Sequence, residues 1–194
     1  MLGGVAVAVS CADVHRQHPQ LKRRINDIDL AGYARQRGHV EDLLQAEGFE
    51  PAVEFNYLAA GRRLLYYRLE DRVKVDVFLD EFRMCHAFGL KGRLKSAGVS
   101  LDLSDLFLTK AQVVEPARRD IQDGLSVLLA GREGTAESGM QEICDRLRAV
   151  CCVNWGWYET ASGFLQRLRA EADHFLCGSE SGVQNAIDRL IAAI

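Results

Sequence analysis

Asn26-Asp27-Ile28-Asp29-Leu30 alternates carboxylate with aliphatic side chain. On an extended strand successive side chains point to opposite faces. Asp27 and Asp29 then share one face, while Ile28 and Leu30 turn into a core. Two carboxylates that close repel each other when both are ionised. A divalent cation removes that cost, and Mg²⁺ takes one or two carboxylates together with phosphate oxygens. The same alternation also describes a strand with an ordinary solvent side, so its surroundings have to be read with it. Val73-Lys74-Val75-Asp76-Val77-Phe78 repeats the pattern, with Asp76 on the opposite face from Val75 and Val77. Laid beside the first strand, about 4.8 Å away, it brings Asp76 to Asp27 and Asp29. Three carboxylates would then surround one or two Mg²⁺ ions.

Upstream stand Gly3 and Gly4, which allow backbone angles and close approach that a side chain would block. They suit a loop whose amides meet a triphosphate at a helix N-terminus; on glycine alone, a plain turn reads the same way. Val5 to about His15 is expected to be helical, with a polar segment around Pro19 after it. Arg16, Lys22, Arg23 and Arg24 form a local basic cluster before the first aspartate strand, either solvated or facing phosphate. Downstream, Val40, Leu43 and Leu44 space a helix over His39 to Glu47, which Gly48 ends. Strand-like runs follow at Ala52 to Leu58, Arg63 to Leu69 and Arg72 to Leu79, with turns at Gly61 and Glu70-Asp71. Short connections favour antiparallel pairing. Asp80 and Glu81 read as charges at a strand end, and Cys85-His86 as a structural pair with no third partner at metal-ligand spacing.

Beyond this the pattern turns helical. Leu101-Asp102-Leu103 would add an edge strand, or Asp102 would cap the helix that follows. That helix carries Lys110, and Glu115-Pro116 breaks it and opens the next. From Ala117 to Leu129 the buried stripe is Ile121, Leu125, Leu128 and Leu129, while Asp120 and Asp123, three apart, are neighbours on one face. Gly131 to Gly134 reads as a loop. Met140, Ile143, Leu147 and Val150 space one further helix; Phe164, Leu165, Leu168 and Phe175 another; Val183, Ile187, Leu190 and Ile194 a last. Trp155 and Trp157 read as a hydrophobic joint or as an aromatic platform for a base.

A chain of 194 residues, 48% hydrophobic and 26% charged, can bury a full core. Its net charge of −3 gives no global field toward nucleic acid or membrane. The apolar stretch Val5 to Val9 is short and lacks the basic leader of a secretory signal, and no segment approaches a membrane span. Cys11, Cys85, Cys144, Cys151, Cys152 and Cys177 include no Cys-x-x-Cys pair and no His at zinc-ligand spacing. A reducing cytoplasm fits that usage.

Taken in order, the motifs resemble the minimal nucleotidyltransferase superfamily, the DNA polymerase β-like fold, and within it the abortive-infection toxin type and related bacterial nucleotidyltransferases. Gly3-Gly4-Val5-Ala6-Val7-Ala8 is similar to its Gly-Gly loop and helix start. Asn26 to Leu30 resembles its Asp-hydrophobic-Asp strand and Val75-Asp76-Val77-Phe78 its third-carboxylate strand. A helix like Asp105 to Lys110 and one like Arg119 to Asp123 follow in that family. The resemblance covers roughly Met1 to Ala130; where the family has a buried strand ahead of the Gly-Gly loop, the sequence shows Met1-Leu2.

The resemblance implies an α+β fold, with a mixed-sheet core over residues 1–103 and a helical domain over 104–194 that closes the cleft. It implies nucleotidyl transfer from a nucleoside triphosphate to a hydroxyl of a small molecule, an RNA end or a protein, with Mg²⁺ or Mn²⁺. Asp27 and Asp29 would be metal ligands, and Asp76 a ligand or the base. Gly3 and Gly4 would hold the β- and γ-phosphates. Lys110 would meet phosphate or the carboxylate cluster, with Asp120 and Asp123 in support. The alternative is a catalytically silent nucleotide-binding protein, or a toxin–antitoxin-type interaction protein with a cognate protein partner, on the same scaffold.

Overall fold

Four strands, β1 (Asp27–Gly32), β2 (Glu50–Pro51), β3 (Arg63–Arg68) and β4 (Val73–Leu79), form a mixed sheet in the order β1-β4-β3-β2. They are seen in a computed structural model that describes residues 1–94, 98–133, 137–176 and 181–194. The chain divides into two compact units. The first holds Met1–Ala6, Arg24–Arg83 and Ala87–Leu101; the second holds Val7–Arg23, Met84–His86 and Asp102–Ile194. The fold is α+β, with helices making up the C-terminal half.

In the first unit the alternation works as pleat geometry dictates. Leu64 and Tyr66 of β3 and Val75, Val77 and Leu79 of β4 are buried on one face together with Leu44 and Phe49, and Ile28 and Leu30 of β1 pack against them. Leu44 belongs to α3 (Arg37–Ala46), so this helix covers the apolar face, and Gly48 follows it at a φ of +78°. β4 pairs with β1 in parallel and with β3 antiparallel. The expected strand at Ala52 to Leu58 is instead a helix, α4 (Val53–Leu58). The reason is local: β2 stops at Pro51, and the Asn56 side chain supplies the pairing that a longer strand would have given. Leu65 N–H donates to Asn56 Oδ1 at 2.6 Å, and Asn56 Nδ2 donates to Leu65 O at 3.2 Å. A small hairpin, β5 (Glu81–Arg83) with β6 (Ala87–Gly89), continues from β4 and joins Phe78, Phe82 and Phe88 in a run of ring contacts.

The Gly3-Gly4 pair lies at the start of α1 (Gly3–Ser10). Ahead of it Leu2 makes a single antiparallel bridge to Asp29, its N–H donating to Asp29 O at 3.0 Å. The expected single helix to His15 is broken. Cys11, at φ −111° and ψ 27°, leaves the helical region, and α2 (Ala12–Gln17) starts after it.

In the second unit, α5 (Leu103–Ala111) is buried from Ser104 to Ala111, as expected of a helix enclosed by others. Around it pack α6 (Arg118–Glu133), α7 (Glu137–Cys151) and α8 (Trp155–Leu176), and α9 (Ser181–Ala193) lies against α7 and α8. Leu101 to Leu103 adds no strand: Asp102 O accepts the N–H of Leu106 at 2.9 Å, and α5 begins at Leu103 without a side-chain cap from Asp102. Gly131 lies inside α6, not in a loop, while Gly134 falls outside the described residues. The glycines mark a close helix crossing, because a Cβ added to Gly139 would fall 2.8 Å from Gly131 O. The spaced apolar residues Met140, Ile143, Leu147, Phe164, Leu165, Leu168, Phe175, Val183, Ile187 and Leu190 are all buried. Among the described residues no helix is long and apolar enough to cross a membrane.

Candidate active site

The parallel pairing of β1 with β4 sets Asp29 against Asp76 and Asp27 against Lys74. Register partners in a sheet project to the same side, and residues two apart do as well. Asp27, Asp29 and Asp76 therefore emerge from one face, opposite the apolar core. The hairpin of β3 and β4 adds Arg63, which stands across from Phe78 and diagonal to Asp76.

These charges are paired unequally. Lys74 Nζ lies 3.3 Å from Asp27 Oδ2, with both side chains 35% exposed, so the contact is a weak surface pair. Asp76 is 2% exposed and takes a two-pronged bond from Arg63, Nε to Oδ1 at 2.7 Å and Nη2 to Oδ2 at 2.5 Å. The Arg63 guanidinium also stacks on two rings, 4.7 Å from Phe78 and 5.3 Å from Phe55. The hydrogen bonds to Asp76 hold this guanidinium above its ordinary pKa against the effect of burial, with attraction from Asp76 and Asp29 adding to them.

Asp29 lies against Gly3. A Cβ built on Gly3 would come 1.9 Å from Asp29 Oδ2, and Gly3 has a φ of +65°, so glycine is required here twice over. The carboxylate thus sits beside the first residue of α1, the helix end that favours negative charge. Gly4, the next residue of α1, is buried.

Sequence patterning singled out the aspartates and the glycines but not Arg63. A signal was present in the hairpin: closing it symmetrically on Glu70-Asp71 sets Arg68 against Val73 and, counting back along both arms, Arg63 against Phe78.

Lys110, Asp120 and Asp123 are brought together in the second unit. Lys110 Nζ lies 2.8 Å from Asp123 Oδ2 and 3.8 Å from Asp120 Oδ1. Asp123 also takes Arg23, Nε to Oδ1 at 2.8 Å and Nη2 to Oδ2 at 2.7 Å. Burial pushes the Asp123 carboxyl up, but the Arg23 hydrogen bond and the charge and hydrogen bond of Lys110 together bring it below its ordinary value. Arg23 of the basic cluster is thus committed to an ion pair, and Arg16 pairs with Asp13. His15 Nε2 meets Ser126 Oγ at 3.0 Å, and Ser126 Oγ donates to Gln122 O at 2.8 Å.

Other residues noted in the sequence have quieter surroundings. His86 bonds to Thr160 through Nε2 at 2.8 Å, stands 5.0 Å from the Trp157 ring, and has its pKa lowered by burial. Trp157 is buried as a joint would be, whereas Trp155 is exposed beside Tyr158. Burial, with Cys152 beside it, pushes the Cys151 thiol up to about 11, so it is an unreactive thiol at neutral pH. Cys177 lies outside the described residues.

Among the described residues no three His, Cys, Asp or Glu side chains are grouped as a metal ion would need. On the aspartate face both oxygens of Asp76 are engaged by Arg63, and Asp27 lies beside Lys74. Hard oxygen donors of that kind and number suit Mg²⁺ or Mn²⁺, which take one or two carboxylates and fill the remaining positions from water and phosphate. Asp29 is held against the glycine of α1. Comparison of the chain with family models, with curated proteins and with solved structures gave no match.

Proposed function

We propose that the chain is a divalent-cation-dependent nucleotidyltransferase that moves a nucleoside monophosphate from a nucleoside triphosphate to an acceptor hydroxyl. The observation that carries this reading is the aspartate face: Asp29 across from Asp76 on parallel neighbours, Asp27 beside it, and Asp29 packed on the glycine start of α1. In the proposed reaction the acceptor oxygen forms a bond to the α-phosphorus, the bond to the leaving oxygen breaks, and pyrophosphate departs. Asp27 and Asp29 hold the cation, which when bound polarises phosphate oxygens and offsets developing charge. Backbone N–H groups of Gly3 and Gly4 face the phosphates of the triphosphate. Asp76 either completes the ligand set or takes the hydroxyl proton, and in both roles Arg63 orients it. The resemblance to abortive-infection toxin-type nucleotidyltransferases supports the same assignment.

A catalytically silent nucleotide binder is the competing reading, and the observation that favours it is the engagement of both Asp76 oxygens by Arg63. Label transfer separates the two. With α-labelled nucleoside triphosphates, Mg²⁺ or Mn²⁺, and RNA, protein and small-alcohol acceptors, the expected result is cation-dependent labelling. Asp29→Asn should lower it on the order of 10³-fold. Nucleotide that protects against thermal unfolding, worth about 2.7 kcal/mol at 100 times its Kd, without any labelled acceptor would mark a binder. Labelling that survives Asp29→Asn would overturn the assignment of this face.

A further inference from the structure

The tip of the β5–β6 hairpin, Met84–His86, belongs to the second unit. Met84 and Cys85 are exposed there, and His86 is the residue that fastens the tip. Its backbone N–H donates to Gln112 Oε1 at 2.9 Å, at the end of α5, and its Nε2 meets Thr160 Oγ1 of α8 at 2.8 Å. The ring lies 5.0 Å from that of Trp157, and a Cβ built on Gly156 would come 3.1 Å from His86 Cε1. Gly156 is the second residue of α8, so the imidazole rests on the first turn of a 22-residue helix. That end of a helix carries positive partial charge and disfavours an imidazolium. Burial disfavours it too, and lowers the His86 pKa from its ordinary 6.5.

The titratable groups on the same elements do not offset this. Lys110 of α5 is turned to Asp120 and Asp123, Glu159 of α8 is exposed, and Cys85 is an exposed thiol. Arg83 and Glu81, just before the tip, pair with each other. Gln112 adds a second cost to docking. It is 1% exposed, and among the described residues its Nε2 is buried with no hydrogen-bond partner. Turning the amide over would set its NH2 group against the His86 N–H. The docked tip therefore keeps a donor unsatisfied, a cost that water removes once the tip lifts. We propose that Met84–His86 is an acid-released latch: neutral His86 fastens the tip to α5 and α8, and its protonation frees the tip and uncovers the Gln112 amide. The latch is independent of the nucleotidyltransferase reading.

Hydrogen exchange of the native full chain, read residue by residue by NMR, tests this. The protection factor of the His86 amide, which reports its bond to Gln112, is expected to fall about fivefold from pH 7 to pH 5. Leu165 and Leu168, buried further along α8, should keep theirs. His86→Gln does not titrate in this range, and its amide at position 86 should be protected equally at both pH values. Where that variant does not fold, the ring protons of native His86 carry the test. Their titration should centre below 6.5 and track the loss of amide protection. A loss shared by Leu165 and Leu168 would be global unfolding and would overturn the latch. Equal protection at both pH values in the native protein, a ring titration centred at or above 6.5, or a fall that persists in His86→Gln would overturn it as well.

Discussion

Gly3 shows how much one missing methyl group can decide. The space that a Cβ would take is filled by the carboxylate of Asp29, and the backbone is in the left-handed region. Gly3→Ala is expected to cost about 2 kcal/mol or more in urea unfolding, from strain and overlap together. In an Asp29→Ala background the overlap with the carboxylate is removed and only the Cβ contact at 3.0 Å is left, so the two substitutions should not be additive. A neutral Gly3→Ala would place Asp29 elsewhere. The glycine was legible as a site for close backbone approach. What approaches it was not, because a local pattern carries no record of a contact with Asp29 across the sheet. Arg63 was hidden for the same reason. Its role depends on a diagonal pairing to Asp76 and on rings from β4 and α4, none of which is its neighbour in sequence.

Among the elements, strands β1, β3 and β4 were the most legible. Their two-residue alternation puts Leu64, Val75, Val77 and Leu79 in one core face, while Asp76 and Phe78 of β4 are buried on the other. Helix α4 was illegible because Val53, Phe55 and Tyr57 alternate like a strand, while the tertiary bonds of Asn56 favour one short helix. The α5–α6 pair joins Lys110 to Asp120 and Asp123, and its spacing was visible, but the enclosure of all three groups was not. With Lys110 8% exposed and Asp123 3% exposed, Lys110→Met should destabilise the protein by on the order of 3 kcal/mol, since Asp123 keeps Arg23 but loses its second cation. Chemical denaturation measures this. Full stability in Lys110→Met would mean that Arg23 alone neutralises Asp123.

For the whole molecule, the titrating groups give stability a direction with pH. Ser126 Oγ donates to Gln122 O, so its contact with His15 is a bond donated by His15 Nε2–H. Burial lowers the His15 pKa from 6.5, opposed by attraction from Asp123 and assisted by Lys22 and Arg23. The folded state thus prefers neutral His15, and the same sign holds for His86. Their contribution is fully present above pH 6.5 and is lost as pH falls below it toward the lowered values. Asp123 adds a loss of the same sign at lower pH, below its ordinary 3.8. The melting temperature is therefore expected to fall from pH 7 to pH 5, and His15→Gln, which keeps an N–H donor, should flatten that slope. A steeper slope in His15→Gln would contradict the assignment. Asn56 has a consequence of a different kind. A strand edge with unpaired N–H and C=O groups is a template on which a second copy can add a strand and start an aggregate. β2 pairs with β3 only at Glu50–Tyr67 and Pro51–Tyr66, so the edge of β3 would open at Leu65. There Asn56 accepts the N–H, and Ala52 N–H and Asn56 Nδ2 both reach the carbonyl. An amide side chain on a one-and-a-half-turn helix thus makes the sheet a poor seed for intermolecular β-pairing.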